Sequence, residues 1–123
     1  MTLASLRDVH ENVAWFVVIG NGLAGLWAVA AHFREALRSR VMWWFTFVAE
    51  LSVFVQVSIG VGMVAGQDIE APEFHMFYGF VAIIAIGIIY SYRDQLSDRR
   101  YALYGGGGLF IMGLGIRAML IGR

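Results

Sequence analysis

Two histidines, one glutamate and two side-chain amides sit where they could do chemistry. His10 and His75 each stand at the head of a long apolar segment. Helices that open at these two positions cross a membrane in the same direction, so the imidazoles reach similar depths. In a four-helix bundle the first and third helices face one another across the centre. A flat macrocycle between them takes one imidazole from each side, the arrangement of a bis-histidine haem. Small residues follow one turn later in both segments, Ala14 after His10 and Gly79 after His75, leaving room on the same helix face. Asp8 and Glu73, each two residues ahead of its histidine, are candidates to orient the rings. His32 is expected at the opposite end, without a partner, so the chain offers a place for one haem b and not two. A divalent cation held by His10, His75 and the acidic loop at 67–73 is the competing metal reading.

Glu50 and Gln56 fall inside the second apolar segment, Asn21 near the middle of the first, and Arg117 towards the end of the fourth. A charge near the bilayer centre costs about 2.5–3.5 kcal/mol on insertion scales, so Glu50 is expected to face the bundle interior. Asn21 and Gln56 are expected to hydrogen-bond between helices, each bond contributing about 0.6 kcal/mol. Arg117 is long enough to reach outward to Glu70 or Glu73, to an anionic lipid, or to a haem propionate.

The elements that must position these residues follow from composition. The chain has 123 residues, of which 59% are hydrophobic and 15% charged. Ordinary globular domains carry roughly 25% charged residues. The mean hydropathy is +0.69. Four apolar segments, at about 12–33, 41–66, 74–92 and 101–121, are each long enough for the ~30 Å hydrocarbon layer. A chain in lipid must satisfy its own backbone hydrogen bonds, so the segments are helices. The predicted fold is a single all-α, integral membrane four-helix bundle, running up-down-up-down through short connections. Arg34, Arg38 and Arg40 fall in the first connection, and Arg93, Arg99 and Arg100 in the third; Arg7 and Arg123 lie on the other side. By the positive-inside rule both termini are expected outside the cytoplasm. A cleaved signal peptide is not expected, because the first segment is too long and is preceded by Asp8 and Glu11. All basic residues are arginine, which suggests a GC-rich bacterial source and a bacterial inner membrane. There is no cysteine, hence no disulfide or thiolate site. No basic tail points to nucleic acid.

Glycine is abundant and needs an explanation. Gly20-Asn21-Gly22-Leu23-Ala24-Gly25 matches the dinucleotide-binding pattern, but Glu50 follows Gly20 by thirty residues where that fingerprint wants an acid at about twenty. Small residues that let helices pack closely are the better reading. The run Gly105-Gly106-Gly107-Gly108 is expected to be helical, because a fourth helix begun after it is too short to span. So many small positions suggest docking against other membrane subunits or against a second copy.

Three function classes follow. The first is a small accessory subunit of a larger membrane complex, respiratory or energy-transducing. The second is a haem b electron-transfer or quinone-handling module using His10 and His75, with Gly79 and Arg117 at the cofactor. The third is a proton-coupled transporter acting as a homodimer through Glu50. Four helices, this length and one buried carboxylate resemble the small multidrug-resistance exporters in general plan. In that family the essential glutamate lies in the first helix, whereas Glu50 lies in the second. Hydrolase chemistry has no support: cysteine is absent, and neither His-Glu-x-x-His nor Gly-x-Ser-x-Gly occurs.

Overall fold

The computed structural model describes residues 3–67 and 73–122. The described chain is all-α. Helix α1 spans Leu3–Phe33, α2 Arg40–Gln67, α3 Glu73–Ser91 and α4 Arg100–Gly122. All four are long and apolar enough to cross a membrane, the character of a multi-pass membrane protein. Helix α1 starts ahead of its apolar segment because Leu3 to Glu11 contain no glycine or proline to stop it. His10 therefore lies two turns inside the helix and does not open it. His75 is the third residue of α3.

The turn between α1 and α2 is fixed by its own polar groups. The carbonyls at the end of α1 need donors. Arg38 supplies two of them, from Nε to the Ala31 carbonyl at 2.8 Å and from Nη2 to the His32 carbonyl at 3.2 Å. The Trp27 indole donates to the Leu37 carbonyl at 2.9 Å. Ser39 caps α2 by accepting from the Met42 amide at 3.1 Å. Beneath this turn Ala28, Ala31 and Met42 are fully buried.

Helix α1 is the hub. It packs along α2 and along α4, α3 packs along α4, and the contact between α2 and α3 is slighter. The α1–α4 pair is the closest, and glycine makes it so. A Cβ at Gly108 would stand 2.9 Å from the Asn21 carbonyl oxygen and 2.9 Å from Gly25 Cα. A Cβ at Gly25 would stand 2.8 Å from the Leu109 nitrogen and 2.9 Å from the Gly105 oxygen. The glycine pattern in α1 and the four-glycine run, which is helical, are thus two halves of one backbone-to-backbone seam. A central cluster of Val17, Val53, Ala82, Ala85, Ile86, Ile89 and Ile111 draws on all four helices.

Asn21 is 1% exposed and ties this core together. Its Nδ2 donates to the Val17 carbonyl at 2.9 Å and, across to α2, to the Ala49 carbonyl at 3.1 Å. Replacing Asn21 by Leu is expected to lower stability by about 1 kcal/mol, within the ~0.6–1.7 kcal/mol range of such bonds in membranes. Unfolding in mixed detergent micelles measures it.

Candidate functional site

His10 and His75 come together. Their ring centroids are 5.9 Å apart, with the planes inclined at 59°. Neither helix achieves this alone. α1 and α3 do not pack along each other, so both rings reach inward into a space that α2 and α4 enclose. That space is a cavity of about 610 Å³ lined from all four helices, within the range of small-molecule and cofactor pockets. Arg7, His10, Glu11, Gln56, His75 and Tyr78 are its polar lining; the rest is mostly Val, Ala, Gly, Met and aromatic side chains.

Each imidazole is held differently. His75 Nδ1 lies 2.9 Å from the Ala118 carbonyl oxygen on α4. A carbonyl only accepts, so Nδ1 carries a proton, and in the neutral ring the lone pair is on Nε2. His10 faces α2. Its Nε2 lies 3.4 Å from Gln56 Nε2, and the same amide nitrogen donates to the His10 carbonyl at 2.8 Å. Gly60, one turn along from Gln56, admits the ring: a Cβ there would lie 3.4 Å from His10 Cε1. Two buried polar atoms of this pair have no protein partner, His10 Nδ1 and Gln56 Oε1.

The remaining sequence candidates are distributed around this centre. Ala14 lines the cavity near His10, as its spacing suggested. Gly79 lines it too, but the space it leaves faces α2: a Cβ there would lie 3.4 Å from Val57 Cγ2. Arg117 is exposed and outside the lining, although its neighbour Ala118 holds His75. Asp8 is exposed. The orienting role expected of Asp8 goes, in the geometry described, to Gln56, while His75 Nδ1 meets a backbone carbonyl. The side chain of Glu73 and the acidic loop at 68–72, with the cation reading built on it, lie outside the described residues. Asn21 belongs to the helix seam. Glu50 is half-buried, away from the cavity and within electrostatic reach of Tyr104. His32 packs edge-on against Phe33, centroids 4.9 Å apart, far from the other two histidines in the chain's other turn region.

Comparison with protein families, curated proteins and solved structures finds no match. The chemistry must therefore be argued from the arrangement itself. Two imidazoles this close could ligate one metal, were each to present a nitrogen lone pair to the space between them. Among the described residues no group of three or more His, Cys, Asp or Glu side chains forms a metal cluster. A two-imidazole site suits a metal that brings its other ligands with it, as iron in a macrocycle does.

Gln56, Gly60, Arg7 and Ala118 carry functional geometry that the spacing argument missed. Gln56 was legible as a costly intramembrane amide, yet its partner was not. Gly60 was visible only as one small residue among many. Arg7 lies one turn ahead of His10 on the same face and could have been found by helical periodicity. The Ala118 carbonyl has no side-chain signal.

Proposed function

We propose that this protein is a membrane module that carries one b-type haem between His10 and His75, for electron transfer or quinone handling within a larger membrane assembly. The arginine distribution supports an orientation with both termini outside the cytoplasm, the chain running up-down-up-down and the haem towards the outer face. The observation that carries the reading is the meeting of the two imidazoles, 5.9 Å apart, in a mostly apolar cavity of about 610 Å³. Metal–imidazole bonds of about 2.0–2.1 Å put two axial nitrogens roughly 4 Å apart. The observed centroid separation of 5.9 Å is of the size that such a spacing requires.

The hydrogen bonding supports the same reading. A ligating histidine normally donates its second N–H to a carbonyl or carboxylate, which fixes the ring and raises its basicity. His75 already does so to Ala118. For His10, the Gln56 amide is within reach of the ring, and two atoms of this pair, His10 Nδ1 and Gln56 Oε1, have no protein partner, so the hydrogen bonding around His10 is left open to a ligand. Replacing Gln56 by Leu is expected to weaken haem retention about 10–100-fold, the usual cost of losing such a partner. Replacing it by Glu is expected to retain haem and to lower its reduction potential, because a carboxylate makes the imidazole more basic. Haem content per chain and a redox titration read the two effects.

The decisive experiment is a reduced-minus-oxidised absorbance spectrum of protein purified in mild detergent from cells supplied with haem precursor. The expected result is the sharp α-band of a six-coordinate, low-spin b haem. A colourless protein overturns the proposal. Glu50→Gln is expected to leave the band unchanged, since Glu50 lies outside the cavity lining; a lost band links Glu50 to the haem and contradicts this placement.

The accessory-subunit reading is compatible with this one and has its own support. Gly106 and Gly113 on α4, seven residues apart and so on one face, are exposed and meet nothing within 4 Å. Such a face admits the close approach of another membrane helix.

A further inference from the structure

At the opposite end of the bundle, a concavity of about 270 Å³ is lined by Trp43, Arg93, Asp94, Arg100 and Tyr104. It lies where the α3–α4 connection meets the start of α2, and the haem reading makes no use of it. We propose that it holds the phosphodiester of a membrane phospholipid whose headgroup carries hydrogen-bond donors, phosphatidylglycerol or phosphatidylethanolamine in type. Arg93 and Arg100 bind the phosphate, and Asp94 accepts from the glycerol hydroxyls or the ethanolamine ammonium.

Charge is the first argument. Two guanidinium groups and one carboxylate give the site a net charge of about +1, which a singly charged phosphodiester balances. Among the described residues the one ion pair is Arg38 with Glu35, so Arg93, Asp94 and Arg100 are not spent on each other. Basic pockets between helices on the cytoplasmic side are known to seat anionic lipid headgroups.

Preorganisation is the second. The Arg93 guanidinium lies 3.7 Å over the Tyr90 ring, and its Nη1 donates to the Tyr90 carbonyl at 2.8 Å. It is therefore held before any ligand arrives, and less side-chain entropy is lost on binding. The aromatic floor is equally fixed. Trp43 meets Tyr104 edge-on at 4.9 Å and Tyr101 at 5.3 Å, and Tyr101 in turn carries the Arg38 guanidinium at 4.5 Å.

The third argument selects lipid over a soluble phosphate. Trp and Tyr prefer the level where headgroup meets acyl chain. The Trp43 indole and the Tyr104 hydroxyl line the concavity, and both can donate to an ester or phosphate oxygen. One turn along α2 from Trp43, Phe47 is exposed and offers apolar surface to an acyl chain. Asp94 supplies the headgroup selectivity: a choline head has no N–H or O–H to give it.

The test is native mass spectrometry of the detergent-purified chain titrated with phosphatidylglycerol, phosphatidylethanolamine and phosphatidylcholine of identical acyl chains, and with glycerol 3-phosphate. The first two are expected to bind at least ~10-fold more tightly than the choline lipid, the worth of one hydrogen bond to a charged group. Glycerol 3-phosphate is expected to bind more weakly than either. The Arg93→Gln/Arg100→Gln double variant should lose lipid adducts, and Asp94→Ala should erase the discrimination against choline. Equal binding of all three lipids by the unaltered protein overturns the proposal, as does retention by the double variant. Binding of glycerol 3-phosphate as tight as the lipids shows a soluble anion site and overturns the lipid assignment. None of these results depends on whether haem is bound at the other end.

Discussion

His75→Ala is expected to remove the low-spin haem spectrum and to lower haem retention by more than ~100-fold. Losing a second-sphere partner already costs about 10–100-fold, and in the proposed haem site His75 would supply the metal bond itself. The same loss is expected for His10→Ala, because a six-coordinate iron needs both rings. His32→Ala is the control. Its ring packs on Phe33 and takes no part in the cavity, so the spectrum should not change. A collapsed bundle could also lose haem, and free imidazole separates the two explanations. The His75→Ala cavity keeps its Val, Ala and Gly walls and is enlarged by about one ring, so added imidazole should restore the low-spin band. Restoration shows that the missing group was a ligand. A spectrum that survives either substitution contradicts the assignment of these residues.

The second large effect concerns the helix seam that holds the cavity's walls together. Gly108→Ala is expected to destabilise the bundle by about 1–3 kcal/mol, the usual cost of overpacking. The new methyl would stand 2.9 Å from backbone atoms of Asn21 and Gly25, which cannot rotate away as a side-chain tip can. Relief requires α1 and α4 to separate, and α4 carries the carbonyl that orients His75. Gly106→Ala is the matched comparison. Gly106 is two residues away in the same glycine run and meets nothing within 4 Å. Both changes gain the same helix propensity relative to glycine. The difference between them therefore isolates the steric cost, and thermal unfolding of the two variants side by side measures it. Equal stabilities would contradict the seam.

The contrast between Gly106 and Gly108 also shows how far the sequence could be read. That the glycine run is helical follows from length, because the bilayer sets the minimum span. Which glycine faces a backbone and which faces outward depends on the rotation of α4 against α1. Composition does not encode that rotation when every position in the turn is the same residue. The four apolar segments were legible for the same reason of length, whereas the start of α1 was not. Its first turns are polar enough to lie beyond the hydrocarbon, and hydropathy is silent there.

The histidine pair was legible in depth but not in detail. His10 and His75 head apolar segments expected to run the same way, and that predicts similar depths. The groups that hold them come from α2 and α4, and nothing in the spacing of α1 or α3 points to Gln56, Gly60 or Ala118. The acids two residues before each histidine were the nearest polar groups in sequence. Helix geometry sends residue i−2 to the other side, so Asp8 is exposed while His10 turns inward. Glu50 was legible as an intramembrane carboxylate, and its separation from the cavity was not, because one helix can present polar groups to two different faces.

Electron paramagnetic resonance of the oxidised, purified protein, with haem quantified per chain, tests the central claim most directly. One haem per chain with a low-spin ferric signal of bis-imidazole type is the predicted result. A high-spin ferric signal would mean that the two rings do not both reach the iron, and haem-free protein from haem-replete cells would mean that the cavity serves another ligand.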